Sequence, residues 1–187
     1  MSTGSIKSSS IKSGSTKSGS VKAAPVKSDA IKSGTVNHWL MKSEPDAFSI
    51  DDLKRKHREA WDGVRNYQAR NTLRDSMKKG DTAFFYHSSC EIPGIAGIVR
   101  IVKQGYPDKS AFDPKDAHYD PESDESDPRW YTVDVKLVRK LERLITLDEL
   151  RKHVRKELAD FVVLRRGNRL SVTPVSKAEW QFVLSLE

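Results

Sequence analysis

The sequence is short of cysteine, with Cys90 as the single thiol among 187 residues. One cysteine excludes an intramolecular disulfide and cannot complete a structural zinc site, and it fits a reducing compartment. No apolar run approaches the ~18 residues of a membrane span. The N-terminal stretch MSTGSIKSSS lacks the apolar core of a secretory signal. We therefore expect a protein without disulfides, membrane spans or a secretory leader.

Signatures of the common enzyme classes are also missing. The sequence has no GxGxxG, no Walker loop and no GxSxG. The five histidines show no metal-ligand spacing. On a strand His87 and Cys90 would point to opposite faces, which argues against a thiolate–imidazole pair. The acidic run at 120–127 lacks the spacing and central glycine of a calcium loop. We therefore expect no catalytic residues, no metal and no cofactor.

Positive charge is concentrated at the N-terminus. The net charge is +7, and residues 1–36 carry six lysines and one aspartate, so +5 of it lies there. The lysines recur every fifth residue among Ser and Gly, at Lys7, Lys12, Lys17, Lys22, Lys27 and Lys32. Such a segment buries too little apolar surface to offset its ordering entropy. We predict a disordered basic tail over 1–36. It either attracts phosphate backbones without sequence preference or only keeps the protein soluble.

Short strands and short helices are interspersed over residues 37–187. The strands are predicted at 38–43, 81–89, 94–103, 130–138 and 169–175. Helices should begin after the capping residues Ser49, Asn66, Thr146 and Ser176, the last two with capping boxes. We expect the second helix to turn Tyr67, Leu73 and Met77 inward and to end at Gly80. Gly97 should mark a bulge or a close backbone approach, and residues 105–128 a long loop. The absence of regular βαβ alternation predicts an α+β fold with a mixed, curled sheet.

The segment WDGVRNYQARN, residues 61–71, is too polar for a core helix and too aromatic for an ordinary loop. An aromatic face stacks on any nucleobase, and amides can contact a base's hydrogen-bonding edge. Trp61 would stack, Asn66 and Gln68 would hydrogen-bond, and Arg65 and Arg70 would meet phosphate near a helix start. A base held between rings must have left its stack. The segment therefore predicts one wall of a nucleobase pocket.

A second ring would complete such a pocket. The candidates are Trp39, Phe85, Tyr86 and Trp130. Each tryptophan can equally serve as ordinary core packing, because large rings dominate cores, and Trp180 is assigned to the core. Trp61 is the exception, since Asp62 and Gly63 beside it indicate a turn.

Seven blocks occur in an order that resembles the EVE domain family. They are HWLMKSEP, WDGVRNYQARN, AFFYHS, PGIAGIVRIV, YPD, HYDP and RLSV, and the resemblance covers about residues 38–187. The resemblance implies a PUA-like fold, a small mixed β pseudo-barrel with short helices around it. It also implies a module that recognises modified nucleobases in DNA or RNA.

The family in turn resembles the YTH domains, which hold a methylated adenine in an aromatic cage. Lys42 and Ser43 resemble the Lys–Ser pair after the first YTH strand, while Trp61 and Trp130 resemble the two cage tryptophans. AFFYHS and GIAGI resemble the paired strands below that pocket. Asn66, Tyr67 and His87 have no clear YTH counterpart, which leaves the favoured base open. The predicted base-binding residues are Trp39, Lys42, Ser43, Trp61, Val64, Asn66, Tyr67, Tyr86, His87 and Trp130, with Arg65, Arg70 and Lys42 for the nucleic-acid backbone.

These inferences predict a non-enzymatic module, a monomer, that binds nucleic acid carrying a modified base and does not bind membranes. One alternative is an enzyme or accessory acting on a flipped base, for which Asp62, His87 and Asp108 are the plausible acid–base groups. Another is a protein-interaction module whose pocket is vestigial. We expect a nuclear location in a eukaryote and a cytoplasmic, nucleoid-associated one in a bacterium.

Overall fold

Six strands form one mixed sheet in residues 36–187, the part of the chain that the computed structural model describes. The predicted tail lies outside that part, apart from Val36. The strands are β1 His38–Ser43, β2 Arg58–Ala60, β3 Thr82–His87, β4 Gly94–Pro107, β5 Tyr131–Thr146 and β6 Val172–Val175. Their order is β2-β5-β4-β3-β1-β6, with β1 and β3 parallel and the other neighbours antiparallel. The prediction of an α+β fold with a mixed sheet is confirmed.

Four short helices begin at the predicted capping residues. They are α1 Ile50–Lys56, α2 Tyr67–Asn71, α3 Leu147–Arg151 and α4 Lys177–Ser185. The capping boxes of Ser49 and Ser176 are complete. Thr146 accepts the N–H of Glu149, but the Glu149 carboxylate pairs with Arg143 at 2.7 Å instead of returning to the cap. In the described part of the chain, no helix is long and apolar enough to cross a membrane.

Several strand boundaries differ from the prediction. Strand β4 continues to Pro107 and β5 to Thr146, and the two pair with each other through repeated register shifts. Residues 103–107 of β4 include no buried side chain and residues 139–144 of β5 are mostly exposed, so the hydrophobic alternation that signals a strand fades there. Strand β2 was not predicted, because its three residues, REA, carry no strand pattern. Strand β6 begins at Val172, three residues later than expected.

Two hydrophobic clusters divide the core, one on each face of the sheet. Alternation along β1 sends Trp39 and Met41 to the first cluster and Leu40 to the second. The first cluster also contains Trp61. Trp180 belongs to the second and stacks on Phe84 with ring centroids 4.0 Å apart. The assignment of Trp180 to the core is therefore confirmed.

Gly97 lies at a bulge, as predicted, where the β4–β5 register shifts between Ile95 and Gly97. A Cβ at Gly97 would lie 2.8 Å from Ile50 Cδ1 and 2.9 Å from the carbonyl oxygen of Arg139. The bare backbone therefore lets α1 pack directly on the sheet.

The inward direction predicted for Tyr67 is wrong. Leu73 and Met77 are fully buried as expected, but Tyr67 is 55% exposed. Helix α2 is only five residues long and widens into a π-helical turn, Thr72–Ser76, so the residues before and after that change share no single face. The helical segment also ends at Ser76, before the predicted stop at Gly80.

Candidate functional site

A cavity of about 330 Å³ opens where the end of β1, the turn before α1 and the segment after β2 meet. Its size is at the low end of the ~300–1,000 Å³ typical of small-molecule pockets. The lining residues are Lys42, Ser43, Ala47, Phe48, Glu59, Ala60, Trp61, Asp62 and His118. The cavity therefore combines flat rings with one lysine and two carboxylates. It brings together the predicted site residues Lys42, Ser43 and Trp61.

Trp61 is fixed by both its backbone and its ring. Its N–H donates to the carbonyl oxygen of Val133 at 2.8 Å, which continues the β2–β5 pairing by one residue. The indole packs edge-on against Phe85, with centroids 5.3 Å apart and planes at 84°. Trp61 is only 7% exposed and belongs to the first core cluster. The sequence predicted that Trp61 lies in a turn outside the core. The structure corrects this, because the ring lines the cavity and also packs in the core.

The turn after Trp61 is held by Asp108, which is only 1% exposed. Its carboxylate accepts the N–H of Gly63 at 3.0 Å, the Oγ–H of Ser110 at 2.8 Å and a guanidinium N–H of Arg65 at 2.8 Å. Burial raises the pKa of Asp108, but these hydrogen bonds outweigh it and the pKa is lowered overall. Gly63 has φ +73°, and a Cβ there would lie 2.7 Å from Nε2 of His118. The turn therefore needs both the buried carboxylate and the glycine.

Arg65 is occupied by internal contacts. Besides Asp108, its guanidinium donates to Ser110 Oγ at 2.9 Å, and its Nε donates to the carbonyl oxygen of His118 at 2.8 Å. It also lies 5.5 Å from the ring centroid of Trp130. The donors of Arg65 therefore connect the turn after Trp61 to the long loop, and they are not free for the phosphate contact that the sequence predicted.

Trp130 lies apart from the cavity lining. Its indole N–H donates to Asp120, and its ring stacks on Tyr67 with centroids 5.0 Å apart and planes at 28°. The guanidinium of Arg70 lies 5.1 Å from the Tyr67 ring. The prediction that Trp61 and Trp130 are facing walls does not describe this cavity, because Arg65 covers the Trp130 ring. The other rings that line the cavity belong to Phe48 and His118.

Trp39 and Tyr86 also lie outside the lining. The indole N–H of Trp39 donates to the buried carboxylate of Asp81 at 3.0 Å. Tyr86 alternates with Phe85 along β3 and therefore belongs to the cluster on the opposite face from Trp61. Both predicted site residues serve packing here. The strand period directs Tyr86 to the other face of the sheet, whereas Trp39 shares the first cluster with Trp61 but lies at the start of β1, away from the end that lines the cavity.

His87, Asn66 and Val64 have local structural tasks. Nε2 of His87 accepts the N–H of Ile50 at 3.1 Å, at the start of α1, and burial lowers the pKa of this imidazole. The side chain of Asn66 accepts the N–H of Ala69 and caps α2. Val64 is buried in the first cluster. These predicted ligands position the cavity's surroundings rather than line it.

Lys42 and Ser43 enter the cavity from the end of β1. Nζ of Lys42 donates to the carbonyl oxygen of Asn168 at 3.4 Å, and burial lowers the pKa of the Lys42 ammonium. Oγ of Ser43 donates to the carbonyl oxygen of Phe48 at 2.6 Å. The serine therefore holds the turn that presents the Phe48 ring.

Asp62 brings an unpaired carboxylate to the lining. Burial and the nearby Asp108 raise its pKa, and within residues 36–187 no cation lies at ion-pair distance from it. The other lining carboxylate, Glu59, pairs with Lys56 at 2.9 Å. Sequence reasoning considered Asp62 only as an acid–base group and missed Phe48 and His118. The position beside Trp61 was the signal available for Asp62, and His118 opens the HYDP block of the family resemblance, whereas the segment around Phe48 carries no signal.

The mixed sheet and this cavity define a small α+β binding module. The chain belongs to the EVE domain family, whose sequence model matches residues 37–186.

Relatives of known structure have the same fold. The chain is 48% identical over 167 residues to human thymocyte nuclear protein 1, covering 81% of this chain and 74% of that protein. The crystal structure of human THYN1 in complex with DNA containing 5-methylcytosine matches with a TM-score of 0.76 and 48% identity, over 80% of this chain and 96% of that one. A Pseudomonas syringae protein matches with a TM-score of 0.76 and 46% identity, over 80% and 98%.

Proposed function

We propose that this protein binds nucleic acid carrying a modified base and that the cavity beside Trp61 receives the base. The observation that carries the proposal is a fixed tryptophan lining a cavity of about 330 Å³ in a chain 48% identical to a protein crystallised with 5-methylcytosine DNA. A base can enter such a cavity only after leaving its stack. The protein therefore acts on extruded or unpaired bases.

Stacking on Trp61 supplies the main attraction for the base, at ~1–3 kcal/mol. Phe48, held through Ser43, adds a second apolar surface. Lys42 contributes a donor at the cavity wall whose charge is already partly desolvated. The rings give affinity for any base, so discrimination must come from the polar groups.

Phosphates flanking the base are proposed to meet an arginine loop, residues 165–169. The carbonyl oxygen of Asn168 in this loop accepts from Lys42, so the loop lies against the cavity wall. Arg166 and Arg169 are exposed, and within the described residues neither forms an ion pair. Free guanidinium groups suit phosphate oxygens. This loop is better placed for the backbone than Arg65, whose donors are occupied.

A binding titration with matched oligonucleotides tests the proposal. Strands of one sequence would carry cytosine, 5-methylcytosine, 5-hydroxymethylcytosine or N6-methyladenine at one position, as DNA and as RNA. We expect at least one modified strand to bind about tenfold or more tightly than its plain counterpart. Equal binding of all strands would rule out modified-base recognition and favour a protein-interaction module.

A second function is favoured by one observation, the raised pKa of Asp62 beside the proposed base position. A carboxyl group with a raised pKa suits a general acid. His87 and Asp108 are already engaged in hydrogen bonds, which leaves Asp62 without a visible catalytic partner. Chromatography of modified DNA after incubation decides between the two, since an enzyme releases free base and a binding module releases none.

The proposal extends to the setting of the protein. We propose that the protein is a monomer that binds DNA or RNA and does not bind membranes. In a eukaryote it would be nuclear, as the name of thymocyte nuclear protein 1 implies for that relative, and in a bacterium cytoplasmic and nucleoid-associated.

A further inference from the structure

Of the two carboxylates that line the cavity, Asp62 is the one without an ion-pair or hydrogen-bond partner among residues 36–187. Glu59 is paired with Lys56, and Asp108 accepts from the Gly63 turn. Asp62 directly follows the stacking residue Trp61 and lines the same cavity. A carboxylate in this position is acceptor-only while ionised. The edge of a base that stacks on Trp61 would therefore meet an acceptor.

The four bases differ in what they present to such an acceptor. Cytosine and adenine carry an exocyclic amino group that donates, whereas thymine carries the carbonyl oxygen O4 at the equivalent place. Thymine and 5-methylcytosine share the ring size and the 5-methyl group. A cavity that reads only shape and the methyl group would accept both, so an acceptor at the amino position is needed to separate them.

We propose that Asp62 is the specificity-determining residue of the cavity, accepting a hydrogen bond from the exocyclic amino group of the bound base and excluding bases with a carbonyl oxygen there. The inference rests on the proposed function and deepens it. Aspartate accepting from the cytosine amino group is an established type of pairing. Opposite thymine O4 two acceptors would face each other and the carboxylate would lose its water without compensation.

The environment of Asp62 supports this role. Asp62 is exposed at the open side of the cavity, so its carboxylate is accessible to a bound base, and partial burial together with the nearby Asp108 raises its pKa. A bound base would displace water from this carboxylate, and an amino donor replaces the hydrogen bonds that the water made. Lys42 cannot substitute, because an ammonium group has no acceptor.

Binding of the full-length protein to three duplexes tests the assignment. One position carries 5-methylcytosine, thymine or cytosine opposite an abasic site, so that no base pair has to be broken. The wild-type protein should bind the 5-methylcytosine duplex about 10- to 100-fold more tightly than the thymine duplex. The Asp62→Asn variant carries an amide that can donate to O4. It should bind the 5-methylcytosine duplex more weakly and the thymine duplex more tightly, so that the ratio of affinities falls to about one or below.

Glu59→Gln is the matched control, because it removes the same charge from the same cavity at a residue already paired with Lys56. It should leave the ratio unchanged. Asp62→Ala should weaken binding of the 5-methylcytosine duplex without strengthening binding of the thymine duplex. Thermal melts confirm that each variant is folded.

The outcomes separate the two proposals. Equal wild-type binding of 5-methylcytosine and thymine, or an unchanged ratio in Asp62→Asn, would overturn the role of Asp62 and leave modified-base binding intact. Equal wild-type binding of 5-methylcytosine and cytosine, together with no preference for any modified strand in the oligonucleotide titration, would overturn the proposed function and this inference with it.

Discussion

At the scale of single residues, Trp61 combines two roles that are usually separate. Its ring packs against Phe85 in the core and also lines the cavity. Trp61→Ala should therefore lower the free energy of unfolding by ~3–5 kcal/mol. It should also weaken base binding by roughly 10- to 100-fold. A chemical denaturation curve and a binding titration well below the melting temperature measure the two effects.

Trp180→Ala is the control for this experiment. Trp180 stacks on Phe84 on the opposite face of the sheet, so its loss should destabilise the fold by a similar amount. The folded fraction should still bind modified DNA normally. A binding defect equal to that of Trp61→Ala would show that global loosening, not stacking, explains both variants.

Asp108 shows how a buried carboxylate fixes the turn beside Trp61. Asp108→Asn loses charge-assisted hydrogen bonds to Arg65, Ser110 and Gly63 and should destabilise the protein by ~1.5–3 kcal/mol at pH 7. The folded-state pKa lies below the unfolded value, so the stabilisation is complete above pH ~4 and is lost as the pH falls through the folded pKa.

The difference in free energy of unfolding between the wild type and Asp108→Asn should accordingly become smaller as the pH is lowered. Denaturation at pH 7, 5 and 3 checks this. If this difference in free energy of unfolding is the same at all three pH values, the negative charge of Asp108 does not stabilise the turn. Asp113→Asn, in an exposed part of the same loop, is the control and should be nearly silent.

At the scale of elements, the arginine loop 165–169 is proposed to make the phosphate contacts that the sequence predicted for Arg65, Arg70 and Lys42, whereas Arg65 fixes the turn after Trp61. Arg166→Ala and Arg169→Ala should each weaken binding to modified and plain strands alike, and reduce the salt dependence by about one ion. Arg65→Ala should instead lower the melting temperature, since it removes contacts to Asp108 and Ser110. A salt-titration series on the three variants distinguishes these patterns. A change in selectivity among bases in Arg166→Ala would contradict the backbone role.

The elements that local chemistry defines were predicted well from sequence. Ser49, Asn66 and Ser176 cap helices because a side-chain oxygen satisfies a nearby N–H, which is a short-range rule. Strand β2 and the far half of β5 exist because a distant partner supplies the hydrogen bonds. A polar sequence such as REA cannot reveal that partner.

The cavity shows the same division between local and long-range information. Trp61 and Lys42 could be found because their own segments are unusual or resemble known motifs. His118 lines the cavity because Arg65 holds its carbonyl oxygen across 53 residues of sequence. The prediction that Tyr86 binds the base was made without knowing which face of β3 is directed to the cavity. Only the register of the sheet shows this face.

At the scale of the whole molecule, we expect the basic tail to supply affinity without selectivity and the nearly neutral domain to supply specificity. Residues 1–36 carry +5 of the net charge of +7. Deleting them should weaken binding by a similar factor for every oligonucleotide and flatten the salt dependence. A titration of full-length and truncated proteins at several salt concentrations measures this. Loss of discrimination between modified and plain strands on truncation would show that the tail takes part in recognition.

The position of Trp61 also gives the protein a built-in optical probe. Of the four tryptophans, Trp39 and Trp130 donate their indole N–H groups to carboxylates, Trp180 lies on the buried side of α4, and only Trp61 lines the cavity. A base that stacks on this indole should quench its fluorescence while the emission of the other three stays constant. Ligand entry can therefore be followed in real time on the unlabelled protein, with Trp61→Phe as the variant from which the signal should vanish.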